Sequence, residues 1–138
     1  MNFMNTLMIK YQILLIYLMK LKHLSIIIDG IGLQLHVGAN FTSSEKYVYA
    51  FEKYINTGLE IQITELDIRT EDNEKGQAAL YKTIFSTSVK HADQIPAFSF
   101  FGSHDGASWL GEYKPLPFGD NYEKKLAYYA IMEVASGK

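Results

Sequence analysis

A chain of 138 residues, 48% hydrophobic and 14% aromatic with no low-complexity tract, is at most one globular domain. Thirteen basic against fifteen acidic side chains give a net charge of −2, without the basic stripe that nucleic-acid binding calls for. Cysteine is absent, which excludes disulfides, thiol catalysis and thiolate metal sites and says little about compartment.

In chain order, residues 11–19 (Y-Q-I-L-L-I-Y-L-M) follow Lys10 and have the look of the apolar part of a secretory signal. Lys20 and Lys22 come at once, however, and no pair of small residues marks a cleavage site. The run is also too short to span a bilayer, so no membrane role is expected. Leu14, Leu18 and Leu21 recur at helical spacing and predict an amphipathic core helix.

Three apolar runs then alternate with helical patterns. The first, residues 26–37, reads I-I-I-D-G-I-G-L-Q-L-H-V. A helix is expected over 43–54, with Tyr47, Phe51 and Tyr54 on one face, Ser43 or Ser44 as its cap, and Gly58 at its end. The second run, 59–68, contains I-Q-I-T-E-L-D-I, an apolar strand with two acids near its end. A polar loop at 69–76 leads to a helix over 78–90 with Leu80, Ile84 and Val89 facing inward. The third run, I-P-A-F-S-F-F at 95–101, opens a glycine-, serine- and aromatic-rich loop reaching Phe118. A last helix, about 124–134, closes the chain, with Tyr128 and Tyr129 as packing residues.

Strands alternating with helices imply an α/β fold with a parallel sheet, either doubly wound or a (β/α) barrel. D-G-I-G at 29–32 begins its strand, where a dinucleotide-binding turn would follow one. Side chains capable of chemistry gather at the C-terminal ends of the runs: Gln34 and His36, then Glu65 and Asp67, then His104, Asp105 and Trp109. Active sites of such folds form at those ends. A metal site from His36, His104 and Asp105 has no spacing signature behind it, and neither metal nor cofactor is expected.

Four blocks of this sequence resemble the glycoside hydrolase family 10 endo-β-1,4-xylanases. They are I-D-G-I-G-L-Q-L-H at 28–36, I-T-E-L-D at 63–67, F-S-F-F-G-S-H-D-G-A-S-W-L at 98–110, and P-L-P-F-G-D-N-Y at 115–122 followed by A-Y-Y-A-I at 127–131. Each is a weak string alone; together they keep the family's order and approximate spacing over residues 14–134. The resemblance implies a (β/α)8 TIM-barrel fold, with this chain covering about the last three strands and four helices, a partial barrel. It implies retaining hydrolysis of xylan, with xylan or xylo-oligosaccharide as the partner, and secretion. Glu65 matches the catalytic nucleophile. Gln34 and His36 match polar groups around that nucleophile and the sugar before the cleaved bond. Asp67 matches an acid that orients the histidine, and Trp109 an aromatic platform for the sugar.

The likeness has gaps. Phe101 stands where the family usually has tryptophan, so sugar packing there is expected to be weaker. His104 replaces a small polar residue, Ser25-Ile26-Ile27 replaces a turn with glycine and proline, and residues 1–13 match poorly. The family's general acid/base is a glutamate in an Asn-Glu pair after the fourth strand, whereas Asn73-Glu74 here lies in a polar loop after the second run. Retaining hydrolysis needs two carboxyl groups about 5–5.5 Å apart that flank the scissile bond. Glu65 and Asp67 point to the same side of one strand and cannot flank it, so Asp67 is expected to orient and not to react.

A complete barrel of this kind takes about 250 residues. The chain therefore reads as the C-terminal half of a catalytic domain, with an open sheet edge on each side. Alone it is expected to aggregate or stay molten, without xylanase activity. Two other functions stay open: a non-catalytic remnant that binds xylo-oligosaccharide through His36 and Trp109, and a half-barrel completed by self-association or by a separate N-terminal half.

Overall fold

The computed structural model describes residues 14, 16–18, 20, 21, 23–40 and 43–137. Its elements are β1 (Gly30–Leu33), β2 (His36–Gly38), α1 (Ser44–Ile55), β3 (Glu60–Arg69), α2 (Glu74–Lys90), β4 (Ala97–Phe100) and α3 (Leu126–Ala135). Two single 3₁₀ turns, Asp105–Ala107 and Gly111–Tyr113, shape the long loop before α3. Ahead of β1, the described residues from 14 to 23 are helical, and Leu14 and Leu18 pack on the core. The rest of the N-terminal run falls outside the described residues.

All strand pairings are parallel, and β3 is the centre of the sheet. β1 lies along its first half with Leu33 opposite Ile63, β2 along its end with His36 opposite Asp67, and β4 along the other edge. The sheet is open, not closed on itself. The side chains of Ile61, Ile63, Leu66 and Ile68 are fully buried and pack in one core with Phe51, Leu80, Tyr81, Ile84 and Ala127. α2 lies between α1 and α3 and also packs on β3. At the start of β1 the strands approach so closely that a Cβ on Gly30 would stand 2.9 Å from the Glu60 carbonyl oxygen, so only glycine fits.

Several expectations need correction. The first apolar run is two strands, not one, because Leu35 between them adopts a left-handed conformation with φ of 62°. Ile26 and Ile27 lie before β1 and are exposed, so the apolar run overstates the strand. α2 begins four residues earlier than 78: the Asn73 side chain accepts from Gly76 N at 2.9 Å and starts the helix. Asn73-Glu74 is thus a helix cap and first turn. Val89, expected inside, is exposed near the end of α2. α1 matches the expected helix closely, with Ser43 capping Lys46 N and Tyr47 and Phe51 buried.

Candidate active site

β3 carries one more residue than either neighbour across its middle. From Ile63 to Asp67 is four steps while the facing Leu33 to His36 is three. On the other edge, Ile63 to Leu66 spans three steps against two from Phe98 to Phe100. The surplus falls at Thr64 and Glu65, a bulge that bends the strand and re-aims a side chain. It also explains the burial: Ile61 and Ile63 alternate, then the inward parity shifts by one to Leu66 and Ile68. With those two turned into the core, Glu65 and Asp67 share the opposite side of the strand.

On the facing strands, the left-handed Leu35 turns the chain between Gln34 and His36, and both reach Glu65. Gln34 Nε2 donates to Oε1 at 3.4 Å, and His36 Nε2 contacts Oε2 at 3.3 Å. Each oxygen of Glu65 therefore has its own partner, and its side chain keeps 29% exposure, enough for a ligand to reach it. The other nitrogen of the imidazole, Nδ1, lies 3.0 Å from Asp67 Oδ2, and Asp67 has no exposed surface. Asp67 Oδ2 also accepts the indole N–H of Trp109 at 2.8 Å. Oδ1 has no partner among the described residues.

An aromatic wall completes the group. Phe101 and Trp109 stand edge-on to the His36 ring, with centroids 5.3 and 5.4 Å away, and edge-on to each other at 6.3 Å. Phe101 is placed by its amide, which donates to Leu66 O at 3.0 Å just past β4. Gly102 follows with φ of 142°, and a Cβ there would meet Leu116 Cδ1 at 2.8 Å.

The loop bearing Trp109 is tied down by residues that sequence reading left unassigned. Ile68 N and Thr70 N donate to Pro115 O and Tyr113 O, so residues 113–115 run beside the end of β3. Gln77 Nε2 donates to Ile68 O at 2.6 Å and to Lys114 O at 2.7 Å, and Tyr81 OH to Pro115 O at 2.6 Å. Burial, reinforced by the Asp67 and Asp105 charges, pushes the Tyr81 phenol well above its usual range, so it stays a donor. Asp105 accepts Leu116 N on Oδ1 and Lys125 Nζ on Oδ2, both at 2.7 Å; Lys125 Nζ also donates to Lys114 O and Leu116 O. Inward-facing polar residues on α2 were the available signal for these ties.

The structure thus brings together Gln34, His36, Glu65, Asp67, Phe101 and Trp109. It leaves out His104 and Asp105, expected at the same strand ends: Asp105 is consumed by its ion pair, and His104 packs against the Tyr122 ring at 4.2 Å. Among the described residues, no group of three or more histidines, aspartates or glutamates is placed to hold a metal ion.

Comparison with known proteins matches the family model described as glycosyl hydrolase family 10 to residues 2–134. The chain belongs to that family. It is 44% identical over 117 residues to a bifunctional endo-1,4-beta-xylanase of Ruminococcus flavefaciens, an alignment covering 85% of this chain and 12% of that protein. Among solved structures it is similar to a family 10 xylanase of Thermobacillus composti, with TM-score 0.83 and 27% identity over 96% of this chain and 50% of the other. A xylanase of Cellvibrio japonicus in complex with xylopentaose aligns with TM-score 0.80 and 25% identity over 94% of this chain and 31% of that one. The chain thus spans about an eighth of the first curated relative and a third to a half of these solved chains. An intracellular xylanase of Thermoanaerobacterium saccharolyticum, 35% identical over 88% of this chain with TM-score 0.79, also aligns, so family membership alone does not imply secretion. Among the described residues, no helix is long and apolar enough to cross a membrane.

Proposed function

We propose that this chain carries the nucleophile side of a site for retaining cleavage of internal β-1,4-xylosidic bonds in xylan. The observation behind this is the contrast within β3: Glu65 is half-buried with a separate polar partner at each oxygen, while Asp67, two residues on, is sealed from solvent. A carboxylate held in one orientation yet reachable suits attack on an anomeric carbon.

In this reading a Glu65 oxygen bonds to the anomeric carbon as the bond to the leaving oxygen breaks, and that oxygen takes a proton from a second carboxylic acid. The same group then deprotonates the water that hydrolyses the glycosyl ester and releases Glu65. Gln34 and His36 hold Glu65 in place, Asp67 supports His36, and Phe101 and Trp109 offer ring surface to the sugar. Among the described residues, none around Glu65 fills the role of the second acid. Asp67 is buried and meets the same imidazole as Glu65, and Glu74 begins a helix. The acid/base therefore belongs to another segment.

The strands are taken to be the sixth (β1 with β2), seventh (β3) and eighth (β4) of a (β/α)8 barrel. The open edges of the sheet and the exposed Phe100, Leu126, Tyr129 and Met132 support completion by an N-terminal half. Mixing the chain with a separately produced N-terminal half that carries the Asn-Glu acid is expected to yield xylan hydrolysis, lost in Glu65→Gln. Hydrolysis that survives Glu65→Gln would overturn the assignment. The exposed Trp109 ring also supports a second reading, binding of xylo-oligosaccharide without cleavage. Titration calorimetry with xylotetraose, repeated on Trp109→Ala, separates a binder from an inert chain.

A further inference from the structure

Trp109 faces two environments at once. The residue is 63% exposed, while its indole nitrogen donates at 2.8 Å to Asp67, which has no exposed surface. A ring serving only as a sugar platform needs no such bond, because solvent satisfies an exposed indole N–H equally well. Indole can only donate and a carboxylate can only accept, so the contact is directional and charge-assisted. Asp67 Oδ2 thereby holds two partners, the indole and His36 Nδ1, while Oδ1 holds none among the described residues. Without the indole, the carboxylate would be held by the imidazole alone and could turn.

We propose that Trp109 is a positioning residue, whose indole N–H fixes Asp67, through it the tautomer and tilt of His36, and so the orientation of Glu65. The role extends the reading of Glu65 as nucleophile, but the clamp itself is a matter of geometry. A ligand resting on the exposed ring would then be linked mechanically to the carboxylate.

Nitrogen-15 magnetic resonance on the labelled whole chain, assembled with an unlabelled N-terminal half, tests this. The chain has one tryptophan, so its indole gives one signal, and His36 is identified by the signals lost in His36→Gln. The expected result is an indole N–H that exchanges about tenfold or more slower than a free indole, and a His36 protonated at Nδ1. Trp109→Phe keeps a ring and is expected to abolish the Nδ1 preference; Asp67→Leu, which removes both acceptor oxygens, is expected to release the indole. Should Trp109→Phe fail to fold, indole protection and its loss in Asp67→Leu decide the matter. An indole exchanging at the solvent rate in the unmodified chain, or a His36 indifferent to Trp109→Phe in a folded variant, would overturn the proposal. None of these signals depends on chemistry at Glu65, so their failure leaves the nucleophile assignment to covalent labelling.

Discussion

Asp67 and Asp105 are both sealed from solvent, within the same stretch of sheet and loop, and they are held in opposite ways. Asp105 has one partner on each oxygen, an amide and an ammonium, and the ammonium spends its other contacts on two carbonyls. Charge and hydrogen bonds close on themselves, and the loop is fastened to the start of α3. Asp67 takes both partners on one oxygen, and they lead outward: the imidazole to Glu65, the indole to an exposed ring. Burial of a carboxylate therefore does not by itself mark a site. What marks one here is where the partners lead, together with an oxygen left over.

Substitutions can break this contrast in a set order, read by urea unfolding of the chain, or of its complex with an N-terminal half. Lys125→Met leaves the Asp105 charge uncompensated in the interior and is expected to cost about 3–5 kcal/mol. Replacing both, as Asp105→Leu with Lys125→Met, should recover much of that. Asp67→Asn removes a charged acceptor but keeps an oxygen for the indole or imidazole, so about 1–3 kcal/mol is expected, with the larger change in His36. If Asp67→Asn costs more than Lys125→Met, the proposed division between tie and site is wrong. Glu65→Gln, facing solvent, is expected to stay within about 0.5 kcal/mol.

The smallest effect concerns an acid away from both. Lys90 and then His91 hold the Glu52 carboxyl below its ordinary value of 4.5. A lowered folded value means stability fully present above the unfolded value and lost as pH falls through the folded one. A slight loss in thermal midpoint below about pH 4.5 is expected, reduced in Glu52→Gln and weakened by salt. An unchanged slope in that variant would assign the acid sensitivity elsewhere.

How far the sequence carried this picture depended on the range of the interaction. α1 was legible because its cap and apolar face are local, and the parallel order of elements followed from their alternation. The boundary at Leu35 was not, since a leucine gives no sign of a left-handed backbone. The bulge was legible but unread: in I-Q-I-T-E-L-D-I the apolar spacing runs 61, 63, then 66, 68, and the skipped residue is the one that turns Glu65. The bond from Trp109 to Asp67 crosses 42 residues and has no local signature. Asp105 misled because an acid after a strand looks the same in sequence whether it reacts or ties a loop. Five of the six grouped side chains stood out by their place at the ends of the apolar runs, whereas Phe101 and the separate role of each came from family resemblance.

Covalent trapping tests most directly whether Glu65 is the nucleophile. A 2-deoxy-2-fluoro xylobioside with a dinitrophenolate leaving group needs no acid to expel its aglycone, and the fluorine slows release of the glycosyl ester through the oxocarbenium-like transition state. Mass spectrometry of the chain treated in its complex with an N-terminal half, and of its peptides, is expected to find one sugar attached, on Glu65, and none in Glu65→Gln. A sugar on Asp67 or another carboxylate, or a folded chain that takes up none, would contradict the assignment.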